Sequence, residues 1–253
     1  MSSKFMQTVK LMSVAAALTF GAVSTAQAAE VLRVGTEATY APFEFMGDDG
    51  KEIGYDIDIV KAIGEIEGFE VEIVNMGFDA LIPSLLTSQI DAVIAAMTIT
   101  PERAARVDFT APYYNSGLSV LIRESDKDKY KTLADLKGAT LCGQIGTTGA
   151  KKAEELSGGN SKSYNYESEV FNELKAGGCD GAVNDRPVNL YFLATSHAED
   201  IVEMSEMITS EQYGIAVKKG NQELLDKLNA GLKKIHENGT FAKIHAKWFK
   251  VAE

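Results

Sequence analysis

Arg103 stands at the end of the stretch Ala95-Ala96-Met97-Thr98-Ile99-Thr100-Pro101-Glu102-Arg103, which reads as a buried strand running into a helix. Thr100 offers an N-cap oxygen, and Pro101 suits the first helical position, where no N–H is needed. Arg103 then falls in the first helical turn, where the positive helix end disfavours a cation. A bound anion removes that conflict, and a planar guanidinium fits a carboxylate. Taken alone, Arg103 is more simply paired with Glu102 or another surface acid. Further groups change that balance. Gly146-Thr147-Thr148 forms a glycine turn at a predicted helix start, where backbone N–H groups are free for an anion. Asp185, beside Asn184, either holds an ammonium or caps the helix that opens at Pro187. Tyr40 and Phe78 are either aromatic walls of a site or ordinary core residues. Glu37, Ala96 and Gln144 also follow or end predicted strands. Jointly, a cation with N–H donors, an acid and two aromatic faces complement a free α-amino acid.

These residues need elements to position them. Hydrophobic spacing predicts strands over 31–36, 69–74, 91–95, 117–122, 140–144, 161–166, 180–184 and 213–217. Helices are predicted over 55–67, 78–86, 132–136, 146–156, 186–194, 221–235 and 241–249, with others at 169–176 and from Pro101. The segment 107–114 reads as extended, 37–45 as a loop, and 47–50 as a turn between two short extended pieces. Strands alternating with helices give an α/β fold with largely parallel sheets. Ligands of such sheets bind beyond the carboxyl ends of the strands, where the residues above lie. The pattern of strand, polar loop and helix occurs twice, before and after about Tyr114. Two similar lobes follow, and no Gly/Pro/Ser-rich tether separates them.

Composition sets further bounds. The chain has 253 residues and 45% hydrophobic content, enough for one large domain or two modest ones. Lys4 and Lys10 precede the apolar run 11–23, and Ala26-Gln27-Ala28 is a small-x-small cleavage site. Residues 1–28 are thus expected to be a cleaved secretory signal peptide. A membrane anchor is disfavoured because the run is short and broken by Gly21 and Ser24. Formal charge is −11, and −13 once the segment carrying Lys4 and Lys10 is removed, which disfavours a nucleic-acid partner. Cys142 and Cys179 are the only cysteines. Export to an oxidising compartment favours a disulfide between them, and neither lies in a CxxC pair. GxGxxG after a strand, a P-loop, HExxH and a GxSxG elbow are all absent. His197, His236 and His245 fall in or beside predicted helices, and none follows a strand. No catalytic residue, metal site or cofactor is therefore expected.

Several stretches in order, Gly35-Thr36-Glu37-Ala38-Thr39-Tyr40-Ala41-Pro42-Phe43-Glu44, Gly54-Tyr55-Asp56-Ile57-Asp58 and Phe78-Asp79-Ala80-Leu81-Ile82-Pro83-Ser84-Leu85, are joined by Thr98 to Arg103, Gly146-Thr147-Thr148, Asn184-Asp185 and Gln212-Tyr213-Gly214-Ile215-Ala216. With them the mature chain resembles the periplasmic polar-amino-acid-binding proteins of ABC importers, the family with glutamine, histidine, arginine and lysine receptors. The resemblance implies a two-lobed periplasmic binding protein fold of type II, with two parallel or mixed sheets flanked by helices. It implies a first lobe of 29–113 plus 213–253, a second of 117–208, and hinges at 114–116 and 209–212 that close on the ligand. It places the ligand carboxylate on Arg103, Thr98, Thr147 and Thr148, and the ammonium on Asp185 and the Ala96 carbonyl. Tyr40 and Phe78 would sandwich the side chain, with Glu37, Gln144 and Asn184 reading its end. The partners implied are a free amino acid and a membrane permease, with the receptor a periplasmic monomer.

Two positions depart from the glutamine-receptor pattern, which has a shorter acid at Glu37 and a lysine at Gln144. With Arg103 against Asp185 and Glu37, a neutral side chain leaves one buried negative charge uncompensated, whereas a cationic one neutralises it. Arginine, lysine or histidine is thus expected over glutamine, which stays open if Glu37 accepts from its amide and Gln144 donates to it. Another class of function is a dehydratase or lyase using Glu37 as general acid. A sensor ectodomain is disfavoured because no membrane segment or partner domain follows in this sequence.

Overall fold

Sequence periodicity is matched from the first strand onward in the computed structural model, which describes residues 30–249. The expected signal peptide and its cleavage site lie outside the described residues. β1 (Glu30–Thr36) turns Leu32 and Val34 into the core. Three short strands, β2 (Thr39–Tyr40), β3 (Glu44–Met46) and β4 (Glu52–Ile53), form a small antiparallel sheet in the region expected to be a loop and a turn between two short extended pieces. Helix α1 (Tyr55–Glu67) buries Ile59, Val60 and Ile63, and stops at Gly68, whose φ of 80° permits the left-handed cap that returns its N–H to the Gly64 carbonyl. β5 (Phe69–Asn75), α2 (Phe78–Leu86), β6 (Ala92–Val93), α3 (Pro101–Ala104) and β7 (Val107–Phe109) complete this part.

The chain then crosses through β8 (Tyr114–Ser116) into β9 (Leu118–Arg123), two single-turn 3-10 helices, β10 (Leu141–Gln144), α4 (Thr148–Ser157), β11 (Ser161–Tyr164), α5 (Glu167–Ala176), β12 (Gly181–Asp185), α6 (Arg186–Thr195) and β13 (Ile201–Glu203). It returns through β14 (Glu211–Tyr213) to β15 (Ala216–Lys218), α7 (Gln222–Glu237) and α8 (Thr240–Phe249).

Two five-stranded sheets result, ordered β5-β1-β6-β15-β7 and β11-β10-β12-β9-β13. In each, the fourth strand runs antiparallel to both its neighbours, and the other four run parallel to one another. β8 and β14 pair antiparallel as the ribbon between the sheets, Tyr114 opposite Tyr213. Those two rings stack at 5.5 Å, and Phe43 meets each of them edge-on at 5.0 and 5.2 Å. The ribbon is thus anchored to the first sheet's side of the molecule.

Three expectations change. The strand expected over 91–95 pairs only at Ala92–Val93, because Ala96 turns the chain with a φ of 43°. The helix at Pro101 is four residues long, so the dipole conflict inferred for Arg103 is slight; the Thr100 cap on the Arg103 N–H is present. The strand expected over 213–217 divides at Gly214, where a Cβ would lie 2.9 Å from Ile99 Cδ1, and the chain changes sheets there.

Cys142 and Cys179 form a disulfide with their Cα atoms 6.1 Å apart, tying β10 to the turn before β12. Alkylation of the denatured protein without reductant should therefore add no label by intact mass, and two labels would contradict the bond.

Candidate functional site

Strand ends from both sheets meet at one cleft. A narrow cavity is lined by Tyr40, Phe78, Ala95, Ala96, Thr98, Arg103, Gln144, Thr147, Thr148 and Asp185.

At the anion end, the Arg103 guanidinium lies 5.2 Å from the Phe78 ring centroid. Its Nη1 donates to the Thr98 carbonyl at 2.8 Å and Nη2 to the Gly146 carbonyl at 3.1 Å. Burial lowers its pKa, an effect opposed by Asp185 and Glu211. Gly146 has a φ of 78°, which lets the chain turn into α4. Thr147 caps that helix: its hydroxyl accepts the Ala150 N–H at 3.0 Å and donates to the Gln144 carbonyl at 2.7 Å. Thr147 thus lines the cavity with its side chain already engaged. The first N–H groups of α4 have no carbonyl within their own helix to bond, so they suit a carboxylate.

At the acid end, Asp185 closes β12 and is buried. The Tyr40 hydroxyl lies 2.6 Å from its Oδ2, and Ser116 Oγ donates to Oδ1 at 3.3 Å. The same Tyr40 oxygen meets the Asn184 side-chain oxygen, yet one phenol proton serves one acceptor at a time. Turned end for end, the Asn184 amide would donate its otherwise unpartnered NH2 to Tyr40 while Tyr40 donates to Asp185. Ala96 is held by its N–H, which donates to Asp56 Oδ2 at 2.7 Å, an oxygen that also accepts from the Tyr113 hydroxyl at 2.7 Å.

The third side is acidic. Glu37 is 2% exposed, accepts from Gln144 Nε2 at 3.1 Å and from the Thr39 hydroxyl, and has its pKa raised by burial. Gln144 Nε2 also donates to the Asn165 carbonyl at 3.0 Å. Glu37 and Asn184 do not line the cavity; Glu37 reaches it through Gln144, and Asn184 through Tyr40.

Sequence reasoning missed three acids. Glu167 is 1% exposed with neither carboxyl oxygen partnered, and its pKa is raised well above the usual range by burial and then by Asp185 and Glu37. Asp56 holds Ala96 from behind. Glu211, on the ribbon, accepts from Thr98 and Thr148. Asp56 carried a signal in the pattern match of its stretch, and Glu167 directly follows the strand predicted over 161–166; Glu211 follows no predicted strand.

Burial pushes both Asp185 and Asp56 up to about 7. Unfolded aspartates release their protons near 4. The stabilisation from retained protons is therefore full below about pH 4 and is lost as the pH rises through about 7. Without ligand, the protein should melt at a higher temperature at about pH 5 than at about pH 8. Scanning calorimetry checks this, and the reverse order would contradict the burial of these acids.

Among the described residues, no group of three His, Cys, Asp or Glu side chains could hold a metal, and no helix is long and apolar enough to cross a membrane. The profile of the bacterial extracellular solute-binding proteins, family 3, matches residues 32–251. ABC transporter arginine-binding protein 1 of Escherichia coli K12 is 39% identical, over 96% of this chain and 99% of its own. An ancestral arginine-binding protein solved with arginine superposes with a TM-score of 0.84 at 41% identity, covering 88% of this chain and all 100% of the other. The structure of an ancestral arginine-binding protein with glutamine gives 0.82 at 42%, covering 87% and 97%. An ancestral amino-acid-binding protein, a precursor of cyclohexadienyl dehydratase, gives 0.81 at 37%, covering 87% and 95%.

Proposed function

The chain belongs to family 3 of the bacterial extracellular solute-binding proteins, and on that premise we propose that its ligand is an amino acid with a cationic side chain, arginine first. The observation that carries this is the charge around the cleft. Glu37 and Asp185 are both buried, while Arg103 is, among the described residues, the only cation lining the cavity. A zwitterion with a neutral side chain leaves that imbalance in place, and buried uncompensated charge is costly. A guanidinium or ammonium on the side chain reduces it. Arg103 and the first turn of α4 hold the carboxylate, Asp185 and the Ala96 carbonyl hold the ammonium, and Tyr40 and Phe78 flank the side chain. Thr98 and Thr148 line the cleft beside these groups, whereas Thr147 contributes through the helix turn it caps.

We assign the first lobe to 29–113 plus 213–253, the second to 117–208 and the hinges to 114–116 and 209–212. The pairing of 114–116 with 211–213 supports that division. The receptor acts as a periplasmic monomer that delivers its cargo to an ABC permease, consistent with the leader expected at 1–28. Binding proceeds without turnover. Of the three histidines, His236 stacks on Phe241 and His245 packs among Tyr55, Tyr114 and Phe249, and none lines the cavity. The raised pKa of Glu37 favours one other reading, a general acid in a lyase. An altered product on incubation with a bound amino acid would establish it.

A thermal-shift screen of the amino acids tests the assignment, since a ligand of the folded state raises the melting temperature with its concentration over Kd. Arginine and lysine should give the largest shifts. A response to glutamine with none to the basic amino acids would make this a glutamine receptor. The arginine shift should shrink from about pH 8 to about pH 5, because the ligand ammonium needs Asp185 ionised.

A further inference from the structure

Three hydroxyls converge on one carboxylate at the ribbon between the sheets. Thr98 Oγ1 donates to Glu211 Oε2 at 2.7 Å, and Thr148 Oγ1 donates to the same oxygen at 2.9 Å. Thr209 Oγ1 donates to the other oxygen at 3.1 Å. Thr98 lies beyond β6 of the first sheet, Thr148 opens α4 on the second, and Glu211 begins β14. Thr98 and Thr148 both line the cavity.

A hydroxyl has one proton and two lone pairs, and a carboxylate can only accept. Each threonine therefore directs its proton to Glu211, and what it can offer the cavity is lone pairs. Lone pairs attract an ammonium and repel a carboxylate. We propose that Glu211 is a positioning residue that fixes the Thr98 and Thr148 hydroxyls as acceptors, and so assigns them to the ligand's α-ammonium. The α-carboxylate is left to Arg103 and the first N–H groups of α4. This moves the two hydroxyls from the carboxylate role that the sequence suggested for them.

The surroundings fit this polarity. Arg103 makes both of its hydrogen bonds to main-chain carbonyls, so neither threonine hydroxyl is needed to orient it. The shared oxygen of Glu211 accepts one hydroxyl from each side of the cleft, so the arrangement exists in full only when the two sides are together. The simpler role for Glu211 is that of a strut, which would favour every ligand of the closed form alike. The two roles differ in which ligand group they affect.

The proposal rests on the reading of the cleft as an α-amino acid site. Its test is a cycle of Glu211→Gln against removal of the ligand's amino group. L-arginine and its des-amino analogue, δ-guanidinovalerate, are titrated into the wild type and the variant by calorimetry, the analogue by competition where it is weak. Glutamine at 211 offers one acceptor oxygen and a donating NH2, which frees a hydroxyl proton toward the ligand. Arginine affinity should fall about tenfold or more, the scale of a hydrogen bond to a charged group. The analogue should fall much less, so the preference for arginine narrows by about the same tenfold factor. An equal loss for both ligands would reduce Glu211 to a strut, and an unchanged arginine affinity would remove it from the site; either overturns the proposal. Thr98→Val gives a second route if the glutamine variant does not fold: it should weaken arginine and spare the analogue. If the wild type takes glutamine rather than arginine, the cationic assignment fails. The same cycle with glutamine and des-amino glutamine then still decides the role of Glu211.

Discussion

Asp185→Ala should weaken amino-acid binding by about 2–5 kcal/mol, and Arg103→Ala by a similar amount, the usual result of truncating one partner of a desolvated charge pair. Asp185 closes a central strand of the second sheet and is buried, with its pKa raised to about 7 chiefly by that burial. It is therefore poorly compensated until an ammonium arrives. The consequence is an opposition between function and stability. Alanine at 185 removes a charge that folding leaves ill-paired, so the ligand-free variant should melt no lower than the wild type above about pH 7, despite losing the contacts to Tyr40 and Ser116. Arg103 differs, since its guanidinium bridges the Thr98 and Gly146 carbonyls and covers Phe78. Its loss should cost both affinity and the bond between the two sides of the cleft. Calorimetric titration of the folded variants checks both, and near-wild-type affinity in either would take that residue out of the site.

Glu37→Gln should cost arginine or lysine about 1.5–3 kcal/mol more than it costs glutamine, the worth of a hydrogen bond to a charged group. As a surface acid at a strand end, Glu37 would have no such effect, but at 2% exposure it is no surface acid. It shares Gln144 with the Asn165 carbonyl, whereas the buried Glu167, its pKa raised well above the usual range, is held protonated and adds no charge. A cationic side chain approaching through Gln144 meets the Glu37 carboxylate, and an amide gains far less from it. Thermal-shift titration of both proteins with arginine, lysine and glutamine reads the difference. Equal losses for all three ligands would show that Glu37 supports the cleft without discriminating charge.

Much of the fold and part of the cleft were legible from local chemistry. The bounds of α1 and α2 follow from apolar spacing. Strand ends followed by Thr100-Pro101, Gly146-Thr147 and Arg186-Pro187 are marked by caps and φ-restricted residues whose effects reach only a turn or so. Because ligands of such sheets sit at strand ends, those marks also singled out Arg103, Thr148 and Asp185. β2 and β13 were missed because strands of two or three residues are too brief to show a period, while β3 and β4 were legible only as short extended pieces about the 47–50 turn.

Tertiary structure alone decided what each side chain does at the cleft. Tyr40 reaches Asp185 across 145 positions of sequence, Gln144 reaches Glu37 across 107, and Thr98 reaches Glu211 across 113. No local pattern encodes such pairs, because they form where the ends of two separate sheets are brought face to face. The same long-range closure buries Glu37 and Glu167 and raises their pKa values. Thr147 differs in being taken up locally by the helix it caps. The sequence thus determined which chemical groups stand at the strand ends. Packing between the lobes determined which of them are desolvated, which are already paired, and where their protons point.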